Sequence, residues 1–296
     1  MQRKLVVIWY VLAFSLMITA CAASGKAINK DAVIEDGYID PDDANAYNNR
    51  GAGYYNRGNT NRAIADYTQA IRINPDYALA YSNRGIAYHA RGDTEKAIAD
   101  FTQAIKLDPD LATAYNNRGN AYRTRGDYDR AIADLTQAIS INPKYAAAYN
   151  NRGKAYTDRK DTGRAIADYT EAIRLDPGFV DPYYNRGIAY RVKDDMDNAI
   201  ADLTQSIRLD PKYAPAYFNR GIAYRAKGDT DKAIEDFTQS IRLDPNNADV
   251  YISRAYTYSA IHDYDKAIAD FEAALKIDPG NADLKVNIEL VRKLRG

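Results

Sequence analysis

Eight of the ten prolines in this chain stand 34 residues apart: Pro41, Pro75, Pro109, Pro143, Pro177, Pro211, Pro245 and Pro279. A fixed period of that length restricts the chain to a repeat architecture, in which each unit buries its apolar face only against its neighbours. Reading back from each proline gives seven full units: 44–77, 78–111, 112–145, 146–179, 180–213, 214–247 and 248–281. Each contains two apolar stripes of helical spacing. In the third, Tyr115, Gly119 and Tyr122 recur at four and three, and Ile132, Leu135 and Ile139 at three and four,. Gly126 suits the left-handed residue that closes a first helix, and Asp127 suits the N-cap of a second. Asn142-Pro143 stops that second helix, because the residue before a proline avoids the α region. Gly119, set opposite Ala131 and Ala138, predicts a close approach of the two axes. Each unit is therefore expected to be a helical hairpin.

Unit position 4 is Tyr throughout (Tyr47, Tyr81, Tyr115, Tyr149, Tyr183, Tyr217, Tyr251), as is position 11, from Tyr54 to Tyr258. Position 8 is Gly from Gly51 to Gly221 and Ala255 in the last unit; position 20 is Ala from Ala63 to Ala267. This pattern resembles the tetratricopeptide repeat. The resemblance implies an all-α fold, a right-handed α-solenoid of seven hairpins. Residues 282–296 then read as a C-terminal capping helix, with Leu284, Ile288, Val291 and Leu294 on one stripe that shields the last unit,. Fourteen of the 26 tyrosines occupy positions 4 and 11, where packing accounts for them without a ligand,.

One departure from the usual family pattern stands out. Position 7, commonly a large aliphatic residue, is Arg50, Arg84, Arg118, Arg152, Arg186, Arg220 and Arg254. Position 23 is Asp66, Asp100, Asp134, Asp168, Asp202, Asp236 and Asp270. The two lie on facing helices, which predicts a structural ladder of ion pairs within or between hairpins.

The resemblance places first-helix positions 2, 5, 6, 9, 12 and 13 on the concave, ligand-binding side. Position 6 is Asn49, Asn83, Asn117, Asn151, Asn185 and Asn219 in six units. Asn is a mediocre helix former, and its amide offers both donor and acceptor. First helices spaced by roughly 10 Å would meet about every third residue of an extended chain that rises about 3.3 Å per residue. A row of amides at that spacing suits the backbone of an extended peptide; the alternative is that the amides bond locally. Asn116, Asn120, Arg123, Lys154, Arg191 and Arg225 make the middle of this groove polar and basic, opposed by Asp158 and Asp181. Tyr184, Ile188, Val192, Phe218 and Ile222 make the fifth and sixth units apolar.

Catalysis is not expected. His89 and His262 lie in distant units, the carboxylates recur by unit as capping and pairing residues do, and no metal-binding, phosphate-loop or nucleophile motif is present,. No cofactor or metal is implied. A formal net charge of zero argues against nucleic acid as the main partner,. At the N-terminus, Arg3 and Lys4 precede an apolar run from Leu5 to Ile18, then Thr19-Ala20-Cys21. The run is short for a membrane span and has the anatomy of a secretory signal. Ending in the chain's single cysteine, residues 1–20 resemble a bacterial lipoprotein signal, with Cys21 acylated and 21–43 a polar tether. An uncleaved anchor, or cleavage near Ala20 or Ala23, are the alternatives. Ala22 in place of Asp leans toward the periplasmic face of the outer membrane. The expected protein is a non-catalytic adaptor of the bacterial envelope. Its partners would be other envelope proteins or their peptides, and the lipid bilayer through the acyl anchor. A self-associating structural protein and a regulatory subunit of a cell-wall or secretion enzyme are the competing readings.

Overall fold

The computed structural model describes residues 33–34 and 37–296. The expected signal and Cys21 lie outside them. The chain divides into two compact units, residues 1–109 and 110–296.

In residues 1–109, β1 (Val33–Ile34) pairs antiparallel with β2 (Gly37–Tyr38). Two hairpins follow: α1 (Ala44–Asn56) with α2 (Thr60–Ile73), and α3 (Ala78–Ala90) with α4 (Thr94–Leu107). Ile39 packs on the cluster of Ala44, Tyr47, Ala70 and Ala80, so the end of the expected tether docks on the first hairpin.

Residues 110–296 hold five hairpins: α5 (Ala112–Thr124) with α6 (Tyr128–Ile141), α7 (Ala146–Asp158) with α8 (Thr162–Leu175), and α9 (Val180–Val192) with α10 (Met196–Leu209). Then come α11 (Ala214–Ala226) with α12 (Thr230–Leu243), α13 (Ala248–Ala260) with α14 (Tyr264–Ile277), and a last helix, α15 (Ala282–Arg295). Each second helix starts as its sequence dictates: the Asp127 carboxylate accepts from the Arg130 N–H, and Asp161, Asp195, Asp229 and Asp263 do the same three residues on,. Gly119 meets Leu135 as well as Ala131. A Cβ there would lie 2.8 Å from Leu135 Cγ and 3.1 Å from the Ala131 carbonyl, which is why a glycine stands at this crossing,. In α15, Leu284, Ile288 and Val291 are buried, but Leu294 is 57% exposed. The apolar stripe read from the sequence is one turn shorter than expected, because Leu294 points off the face that covers α13 and α14.

The Arg–Asp pairs are present in all seven hairpins, always within the hairpin. Each guanidinium grips its aspartate with Nε and Nη2 at 2.7–2.9 Å. Bidentate charge-assisted bonds of this kind are strong and geometrically specific. All seven aspartates are buried. The tyrosines of positions 4 and 11, on the same helix, flank the cation: Arg118 Cζ lies 5.7 Å from the Tyr115 ring centroid and 5.9 Å from that of Tyr122,. The third guanidinium nitrogen reaches the preceding hairpin. Nη1 of Arg84, Arg152, Arg186, Arg220 and Arg254 donates to Thr68, Thr136, Thr170, Thr204 and Thr238 at 2.8–3.1 Å. The hydroxyls of Thr68, Thr170 and Thr238 in turn donate to the carbonyl four residues back in their own helix. Thr occupies this position 25 in six units and gives way to Glu272 in the seventh. No arginine of the same kind follows there; Glu272 instead pairs with Arg292 of α15 at 2.9 Å.

Two predictions concern stability. Position 15, which closes each first helix, has positive φ even where it is not glycine: 63° at Lys160, 61° at Asp194 and 62° at His262, against 82° at Gly126. Left-handed backbone costs a non-glycine residue on the order of 1 kcal/mol. Lys160→Gly and Asp194→Gly should each raise the unfolding free energy by about that amount, read as a higher urea midpoint; an unchanged or lower midpoint refutes the strain. Arg152→Leu should cost roughly 3 kcal/mol by stranding Asp168 in a buried place. Burial already pushes the equivalent Asp236 carboxyl upward, against the hydrogen bond and charge of Arg220. Adding Asp168→Leu should recover most of the Arg152→Leu loss, whereas losses that simply add would show that the pair is not coupled.

Candidate functional site

The side chains expected in the groove lie on the first helices, α5, α7, α9, α11 and α13 in residues 110–296, and α1 and α3 in residues 1–109. Within each of the two units, cross-hairpin bonds link neighbouring first helices. Asn151 Nδ2 donates to Asn116 Oδ1 at 3.0 Å and Asn185 Nδ2 to Asn150 Oδ1 at 3.0 Å. Asn219 Nδ2 donates to the Tyr184 hydroxyl at 3.3 Å and to the Pro215 carbonyl at 2.9 Å. In residues 1–109, Asn83 Nδ2 donates to Asn48 Oδ1 at 2.9 Å. The position-6 amide therefore reaches the position-5 side chain of the preceding hairpin. Asn117 Oδ1 accepts from Asn116 Nδ2 at 3.1 Å, and Asn49 is exposed. The row keeps part of its hydrogen-bonding capacity, since each amide has two donors and an acceptor, but one donor of Asn83, Asn151 and Asn185 is already committed. Of the position-5 partners, Asn116 and Tyr184 were read from the sequence as groove residues, whereas Asn48 and Asn150 were not. The pairing of position 6 with position 5 of the preceding hairpin was not read from the sequence for any of them.

The charged groove residues divide into engaged and unengaged. Arg123 Nη1 pairs with Asp158 at 2.8 Å, and its Nε donates to Asn120 Oδ1 at 3.4 Å. Arg225 Nη1 donates to the Ser253 carbonyl at 3.2 Å. Lys154 makes neither an ion pair nor a hydrogen bond among the described residues. Burial first, then the charge of Arg123, pushes its ammonium pKa down, and Asp181 and Asp158 pull it up,. Arg191 has its Nε buried without an acceptor. A half-buried cation and a buried donor without partners are groups that a carboxylate or carbonyl would satisfy. Farther along, Phe218 and Ile222 pack beside Phe237, and Val192 is 68% exposed. His89 is half-buried in α3, and His262 Nδ1 lies 2.7 Å from the Tyr264 hydroxyl. Among the described residues, no group of three or more His, Cys, Asp or Glu could hold a metal ion, and no helix is long and apolar enough to cross a membrane.

Comparison with known proteins accords with this geometry. A TPR repeat model matches residues 53–90, 87–124, 119–160 and 153–191, and a tetratricopeptide repeat model matches 180–213, 214–247 and 248–281. The chain belongs to the tetratricopeptide repeat family, whose scaffolds typically mediate protein–protein interactions and are generally non-catalytic. No curated protein matches it. Among solved structures, it is similar to the Cut9–Hcn1 hetero-tetramer of the APC/C, with a TM-score of 0.69 and 22% identity over 86% of this chain. It spans 50% of that relative's length. YrrB, described as a TPR protein with an unusual peptide-binding site, gives a TM-score of 0.54 at 24% identity over 64% of this chain and 97% of YrrB. MamA gives 0.52 at 30% identity over 56% of this chain and 96% of MamA. The first two likenesses concern the fold.

The lateral amide bonds change what an alanine substitution should do. Alanine is the better helix former, so Asn185→Ala looks harmless from the sequence. In the structure it strips the buried Asn150 carbonyl oxygen of its donor. Leaving a buried acceptor unsatisfied costs about 1–3 kcal/mol, so the urea midpoint should fall. A variant as stable as the parent would show that the bond contributes nothing.

Proposed function

We propose that this protein is a membrane-anchored, non-catalytic adaptor of the bacterial envelope that holds extended segments of partner proteins against its first-helix face. The single observation that carries the reading is the pair of unengaged cationic groups on that face, the half-buried Lys154 and the buried Nε of Arg191, beside amides of Asn151 and Asn185 that retain hydrogen-bonding capacity. A partner's carboxylates would engage the cations while its backbone meets the amides. The family's general use in protein–protein interaction supports a protein ligand. The anchor rests on the basic start, the apolar run Leu5 to Ile18 and Cys21. Several buried acyl methylenes at about 0.8 kcal/mol each would hold the chain at a bilayer, and more than one chain is needed for stable attachment.

Fractionation of cells expressing Cys21→Ala tests the anchor. The variant should remain unprocessed or leave its membrane; a variant that matures and fractionates like the parent removes the lipid from this reading. Capture from solubilised envelope tests the groove. Lys154→Glu with Arg191→Glu should deplete at least tenfold the proteins retained by the parent, with circular dichroism unchanged. Retention of the same proteins by the folded double variant would move the binding site off this face.

A further inference from the structure

The last helix keeps the register of the hairpins. Counting on from 248–281, Val286, Leu290, Lys293 and Leu294 of α15 occupy positions 5, 9, 12 and 13, the positions that line the ligand face in the first helices. Val286 is 62% exposed, and Leu290 and Leu294 are each 57% exposed. Incomplete capping does not explain them. The face of α15 against which a second helix would pack carries positions 4, 8 and 11, which are Tyr, Gly or Ala, and Tyr in the full units. Here they are Lys285, Glu289 and Arg292, all exposed. The helix is solvated where a further hairpin would need apolar surface, and apolar where the ligand face runs. Asn287, at position 6, donates to the Tyr256 hydroxyl of α13 at 2.9 Å, as the amides of the earlier hairpins reach their predecessors.

Position 9 thus runs Ile188, Ile222, Tyr256, Leu290 across α9, α11, α13 and α15, with Val192 and Leu294 at position 13. Three of the four helices carry an acid at position 2 (Asp181, Asp249, Asp283, with Pro215 in α11), and three carry a cation at position 12 (Arg191, Arg225, Lys293, with Ser259 in α13). Positions 5, 9 and 13 span two turns, about 12 Å along each first helix. That is the width of an α-helix with its side chains, about 10–12 Å; an extended strand would cover a single row. A helix laid across the first helices advances about 10 Å in seven residues, close to the 8–10 Å between packed helices, so it would set one apolar side chain per hairpin.

We propose that the face of α9, α11, α13 and α15 is a second binding site, which takes an amphipathic α-helix of a partner protein with acidic residues along one edge and basic residues along the other. The site rests on the reading of the first-helix side as the ligand face, and it differs in chemistry from the amide-rich region. The polar Lys285–Glu289–Arg292 face argues against a second copy stacked end to end on α15. Charge complementarity across the lane favours the amphipathic partner.

The test uses full-length protein in lipid nanodiscs, which leave no free detergent to fill the lane, and selection from a phage-displayed library of random 16-residue peptides. The expected binders carry apolar residues at helical spacing with acids on one edge, and lose at least tenfold in affinity against Leu290→Lys and against Val286→Asp. Both positions are exposed, so circular dichroism should show the fold intact. Binders that lose affinity at Lys154→Glu and not at Leu290→Lys would overturn the second site and leave the adaptor reading standing. Absence of binders, or binders indifferent to all three substitutions, overturns both. Sedimentation showing a dimer that Leu290→Lys dissolves would assign the lane to a second copy, and overturn the proposal.

Discussion

The guanidinium of position 7 is the group on which the rest of this structure depends. It has five N–H donors in a rigid plane, and the fold gives each edge a different task. Nε and Nη2 close the hairpin on its own aspartate, as in Arg152 with Asp168. Nη1 fastens the hairpin to the one before it through a threonine, as in Arg152 with Thr136. A large aliphatic residue at the same place could contribute packing but not direction. The tyrosines before and after the arginine shield it without removing its charge, as Tyr217 and Tyr224 do for Arg220. Arg50 departs from the pattern: its Nη1 is buried without an acceptor in the first hairpin of the described residues.

Because the ladder and the alanine and glycine contacts between α-helices carry the fold, the first-helix face is free to vary. It does so in an ordered way in residues 110–296. Around α5 and α7 it is polar, with Arg123 paired to Asp158 and Lys154 without an ion pair or hydrogen bond among the described residues. From α9 onward its rows turn apolar while acids and cations retreat to opposite ends of the helices. On the binding roles proposed above, a face built this way would separate two kinds of recognition along one surface, hydrogen bonding first and hydrophobic contact after.

Much of the fold was legible in the sequence because the determinants recur at a fixed offset. Prolines at 34 residues, Asp127 as a cap, Gly126 as a left-handed closure and the Arg–Asp coincidence at positions 7 and 23 each repeat, and each repetition reinforces the reading. The threonine of position 25 was equally legible in principle. It is present in six units and replaced by Glu272 in the one not followed by such an arginine, but its partner lies in a different unit and the pairing shows only when units are compared in succession. The amide bonds were harder to read. Asn185 meets Asn150 and Asn219 meets Tyr184; the offset is a constant 35 residues, but the acceptor changes from an amide to a phenol, so residue type at position 5 does not announce the bond. Leu294 was misread because a step of three residues from Val291 fits helical spacing yet turns the side chain off the buried stripe and onto the side of Val286 and Leu290.

The sameness of the ties between hairpins has a consequence for how such a chain can change length. Loss of one 34-residue period, for instance 146–179, would bring Arg186 against Thr136, a joint of the same chemistry as the one it replaces. The core would register no difference, whereas the polar stretch around Lys154 would vanish and the apolar lane would abut α5. Length is thus a dial on surface chemistry: recombination between periods can recompose the order of chemistries along the first-helix face while leaving every joint in the scaffold of a familiar kind.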